Sequence, residues 1–63
     1  MITVKQVKMI YRNRIEDIKD KRGLSYQQIA DKAGVTKQTV WNAINKAHKV
    51  KVETMEDIWV KIK

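Results

Sequence analysis

Between Leu24 and Asn45 the chain carries a helix start, a helix stop and a second helix start at fixed spacing, and few folds accept that order. Ser25 is a good N-cap, its hydroxyl accepting an early unpaired N–H, and Gln28 three residues on can reach back to close a capping box. A helix is therefore predicted from Tyr26. Ile29, Ala30 and Ala33 fall on one of its faces, and Gly34 supplies the left-handed conformation that ends it without a Cβ clash. Thr36 caps a second helix. There Val40, Ala43, Ile44 and Ala47 lie together at 3.6 periodicity, while Gln38, Asn42 and Asn45 line the opposite face. Two helices crossing steeply over so short a turn need a small residue where their backbones approach, and Ala30 is that residue. Val40 is placed to wedge between them.

This is the pattern of a helix-turn-helix at about 25–45, whose second helix enters a DNA major groove. The stretch resembles the repressor and Cro family of phage and bacterial regulators. The resemblance is ungapped from Arg14-Ile15 through Ile18, Gly23-Leu24-Ser25, Ile29-Ala30, Gly34-Val35, Thr39-Val40 and Ala43 to Val52-Glu53-Thr54-Met55 and Ile58. It implies an all-α, lambda-repressor-like domain of four helices that binds operator DNA. Three positions depart from the family. The usual glutamine at the start of the first motif helix is Tyr26, whose hydroxyl can still donate to phosphate. The usual Arg–Glu pair between the first and recognition helices falls on Lys19 and Ile44, so that pair cannot form and Ile44 is expected in the core. The family's fifth helix, which often makes the dimer contact, has no counterpart.

The 63 residues read as one domain, with 1–12 extending the first helix beyond the family's usual start. A chain this short buries only ~60% of its unfolded surface, so a large enclosed active site is not expected. There is no cysteine, hence neither a disulfide nor a thiolate metal site. With no signal-peptide pattern and no apolar run near membrane-spanning length, the expected location is cytoplasmic, in a bacterium or phage-infected host. Net charge is +7, which favours a polyanionic partner. From Lys32 to Val52 there are five lysines and no acid, and this run coincides with the second motif helix and the loop after it.

Outside the motif, Thr3 and Gln6 form a second possible capping box, and Val4, Val7, Tyr11, Ile15 and Ile18 repeat at helical spacing, predicting a helix over 4–21. Lys46 to Lys51 reads as a basic loop. Val52, Met55, Ile58, Trp59 and Ile62 predict a fourth helix over about 52–62. The alternative is a terminal strand pair, because Ile58, Val60 and Ile62 also alternate, as do Ile2 and Val4. The N-terminal stripe of Val4, Val7 and Tyr11 is expected to bury against the fourth helix around Trp59 and Ile62.

Base reading is assigned to the outward N-terminal half of the recognition helix. Gln38 and Asn42 are planar amides that can bond an adenine's N7 and N6 edge, and Lys37 can donate to guanine O6 and N7. Trp41 lies about 100° round the helix from Val40. It can touch a thymine methyl or sugar, pack on a neighbouring loop or join a partner subunit. Phosphate contacts are expected from Tyr26, Gln27, Thr36, Thr39, Asn45, Lys46 and Lys49. The competing reading of each is a solvated surface residue. His48 stands alone, without the further ligands a metal site needs. Glu16 with Asp20 and Glu53 with Asp57 read as exposed carboxylates beside lysines, not acid/base pairs. The expectation is therefore a non-enzymatic regulator with no cofactor and no small-molecule ligand. It would bind a palindromic double-stranded operator, as a homodimer on DNA. Two rivals remain. One is an antitoxin- or antirepressor-like module docking a protein on the same scaffold; the other is a basic amphipathic membrane binder.

Overall fold

Three helix starts carry the side-chain caps that their residue types favour. Thr3 Oγ1 accepts from the Gln6 N–H at 3.2 Å while Gln6 Oε1 accepts from the Thr3 N–H at 2.8 Å. Ser25 and Gln28 repeat the box at 3.1 and 2.8 Å, and Thr36 accepts from the Thr39 N–H at 3.2 Å. The computed structural model, which describes residues 1–63, accordingly contains α1 (Val4–Arg22), α2 (Tyr26–Ala33), α3 (Lys37–Asn45), a short 3₁₀ turn (Ala47–Lys49) and α4 (Val52–Ile62). There is no strand. The alternation of Ile58, Val60 and Ile62 is overridden by the helical period: Ile58 and Ile62 are buried one turn apart, while Val60 is 47% exposed.

Gly34 ends α2 at φ +70°, with its N–H donating to the Ala30 carbonyl. Nothing lies within 4 Å of where a Cβ would sit, so a side chain there has room but not the right backbone. Gly34→Val is expected to destabilise the domain by about 1 kcal/mol or more through that conformation alone. The check is a urea denaturation midpoint, and a midpoint equal to the parent's would contradict the turn's role.

The core is Ile15 from α1, Ile29, Ala30 and Ala33 from α2, Val40, Ala43 and Ile44 from α3, Val50, and Met55, Ile58 and Ile62 from α4. No polar side chain is buried among them. Ala30 and Val40 are fully buried where α2 and α3 approach, and Ile44 is buried as expected from the departure at that position. Two details differ from the sequence reading. Helix α3 stops at Asn45, so Ala47 packs on the core from the 3₁₀ turn and not from a helical face. The segment from Lys46 to Lys51 is not simply a basic loop, because Val50 turns inward and closes the core between α3 and α4.

The N-terminal stripe is also only partly as expected. Tyr11 meets Trp59 with ring centroids 5.9 Å apart, and Arg14 stacks over Trp59 at 4.9 Å. Val7 is half-buried, but Val4 is 65% exposed. The reason is length. Nineteen residues make α1 roughly 28 Å long, whereas the eleven of α4 span roughly 16 Å, so the first turns of α1 overhang the bundle.

Long basic side chains tie the helix ends together. Arg12 Nε donates to the Ile44 carbonyl at 2.8 Å, Arg22 to the Ile62 carbonyl at 2.7 Å, and Lys61 to the Ala33 carbonyl at 3.3 Å. Each satisfies a carbonyl that its helix leaves unpaired and puts positive charge at the negative end of a helix dipole.

Candidate nucleic-acid interface

Helix α3 is held by its inner face and displays its outer one. With Val40, Ala43 and Ile44 buried, the same 3.6 period turns Lys37 and Gln38 fully outward and leaves Trp41 and Asn42 at the half-exposed margin. Gln38 Nε2 donates to Asn42 Oδ1 at 3.1 Å, one helical turn along. The pair thereby fixes both amides while leaving Gln38 Oε1 as an acceptor and the Asn42 amide hydrogens as donors. A matched acceptor and donor set of this kind is what a base edge requires.

The residues expected at phosphates gather in three places. At the start of α3, Thr36 and Thr39 share a hydroxyl contact of 2.8 Å, with Thr36 already capping the helix. At the far end, Asn45 Nδ2 donates to the Trp41 carbonyl at 3.1 Å and to the Tyr26 hydroxyl at 3.4 Å, joining the end of α3 to the start of α2. The Tyr26 hydroxyl hydrogen stays available for an acceptor, and its ring lies beneath Lys19 Nζ at 5.1 Å. Lys46 sits 5.7 Å from the Trp41 ring. Trp41 is not packed on the core and borders the same exposed surface. Lys49 projects from the 3₁₀ turn. Gln27 stands apart from the rest: its amide donates to Asp31 at 2.9 Å, within α2.

The electrostatics of this side follow from where the acids are. The ion pairs Arg12–Glu16 (2.6 Å), Lys19–Asp20 (3.7 Å) and Lys21–Asp17 (3.1 Å) lie on α1, and Lys61–Asp57 (3.1 Å) lies on α4. None involves Lys32, Lys37, Lys46, Lys49 or Lys51. These five lysines therefore carry charge that no ion pair offsets, on α3 and on the stretches of chain that precede and follow it, a field that concentrates anions on this part of the molecule. No three His, Cys, Asp or Glu side chains come together, and no helix is long and apolar enough to cross a membrane.

Arg12 is the site residue that the sequence reading missed. It holds the C-terminal end of α3 through the Ile44 carbonyl and is itself braced by Glu16. The available signal was an Arg four residues before a Glu on a helix. Lys19, at the position where the resembling family has arginine, does not reach α3 and lies between Asp20 and the Tyr26 ring. No protein family, curated protein or solved structure that was compared with this chain matches it.

Proposed function

We propose that the chain is a sequence-specific double-stranded DNA-binding transcriptional regulator of the helix-turn-helix type, resembling small Cro and repressor proteins and acting as a homodimer on a palindromic operator. The observation that carries this reading is the outer face of α3: exposed, acid-free, and bearing the linked Gln38–Asn42 amide pair on a helix fixed by buried Val40 and Ala30. Inserted in a major groove, that face puts Lys37, Gln38 and Asn42 at base edges, with Trp41 beside a sugar or thymine methyl. Tyr26, Thr36, Thr39, Asn45, Lys46 and Lys49 flank it at the height of the phosphates, where contacts set register without reading sequence. Regulation is then occlusion of a promoter and needs no bond chemistry. The experiment is selection from a pool of random duplexes, together with a mobility shift on the DNA flanking this protein's own gene. One enriched, two-fold symmetric site supports the reading, and equal affinity for all duplexes contradicts it.

The charge part is separately measurable. A dimer that neutralises about eight phosphates has log affinity falling with log salt at a slope near −7. Lys49→Ala is expected to weaken binding to every duplex alike and to make that slope shallower by about 1 per subunit. Titration by fluorescence anisotropy at several salt concentrations reads both quantities. An unchanged slope removes Lys49 from the phosphate set.

A further inference from the structure

Two surface patches of opposite charge are left unneutralised within the molecule, and both carry exposed apolar side chains. The first is a groove of about 420 Å³ between the overhanging start of α1 and the end of α3. Val4 and Met9 give it apolar contact surface, 65% and 48% exposed, Lys5 and Lys8 give it positive charge, and His48 also lines it. Lys5 forms no ion pair, and Lys8 reaches only the His48 carbonyl, at 3.5 Å. The second patch is the outer face of α4, where Glu53, Glu56 and Val60 share one side of the helix. Glu16, Asp17, Asp20 and Asp57 are ion-paired and Asp31 accepts from Gln27, so Glu53 and Glu56 are the acids left without a side-chain partner.

We infer that these patches form one self-complementary interface, in which the outer face of α4 from a second copy of this chain seats in the α1 groove. Lys5 and Lys8 are three residues apart, as are Glu53 and Glu56, so both helices space their charges at about 4.5 Å along the axis and two ion pairs form together. With the helices antiparallel, Lys5 facing Glu56 and Lys8 facing Glu53, Val60 falls within about 4.5 Å of Val4 along the axis and covers it, removing from water part of the apolar surface that the overhang exposes. The charges set register and orientation, and the apolar contact supplies the attraction that persists in salt. Because the patches differ, the assembly closes as a dimer when a two-fold axis makes both contacts at once, and otherwise grows head to tail. The inference rests on the homodimer in the function proposed above, not on its DNA contacts.

The test is sedimentation of the full chain without DNA, at low and high salt. The expected result is concentration-dependent association that weakens with salt. Lys5→Glu with Lys8→Glu, and separately Glu53→Lys with Glu56→Lys, each raise the dissociation constant by about tenfold or more, as like charges then face each other. An equimolar mixture of the two variants restores the parent's association, because each reversed patch meets its new complement. Val60→Ser, which changes no charge, weakens association too, and circular dichroism confirms that every variant keeps the parent's helicity. A parent that stays monomeric at low salt overturns the inference, as does a mixture that fails to assemble. So does a Lys5 and Lys8 reversal that spares association but weakens DNA binding, since the groove then belongs to the nucleic-acid surface. DNA binding is scored separately, on half-site duplexes, so either result stands without the other.

Discussion

Ile15→Ala is expected to destabilise the domain by about 2–5 kcal/mol and to leave much of it unfolded at room temperature. Ile15 is the one fully buried side chain of α1, and it packs in a core to which α2, α3 and α4 all contribute. Its loss removes transfer free energy and opens a cavity where α1 enters that core. The reserve is small, because a single core in a chain below about 70 residues rarely supplies more than about 3–5 kcal/mol. Urea denaturation followed by circular dichroism reads the effect. Ile10→Ala is the companion: Ile10 is 42% exposed on the same helix, and its replacement is expected to cost under about 0.5 kcal/mol. Equal midpoints for the two variants would mean that α1 is not held through Ile15.

Much of this arrangement was legible in the chain because its punctuation is local. A cap needs only Ser25 and Gln28, or Thr3 and Gln6, three residues apart, and a left-handed stop needs only Gly34, so the helix bounds follow from neighbours in sequence. The inner and outer faces of α3 were legible for the same reason, since helical period alone separates Val40 and Ile44 from Gln38 and Asn42. What failed depended on lengths and on distant partners. Val4 continues the apolar stripe of α1 but stays 65% exposed, because α4 is too short to reach it. Val50 sits among lysines, yet it turns inward after a 3₁₀ turn that no pattern announced. Arg12 looks like any surface arginine until α3 ends beside it, 32 residues later in the chain.

Asn42→Ala is the second large effect. The substitution removes one member of the Gln38–Asn42 pair while leaving the buried face of α3 intact. Losing a matched amide is expected to cost about 1–3 kcal/mol per half-site, hence roughly twice that for a dimer on a symmetric operator. The loss is confined to the preferred site, because on other sequences the amide had no matched base edge. The salt slope stays nearly unchanged, because Asn42 carries no charge and releases no counterion.

These properties make one measurement the most direct test of α3 as a reading helix: the affinities of the parent and Asn42→Ala for the selected operator and for a scrambled duplex of equal length, each titrated over several salt concentrations. The account predicts a large loss on the operator, little or none on the scrambled duplex, and parallel salt dependences. Equal losses on both duplexes would contradict it and leave a basic domain that binds DNA without reading it.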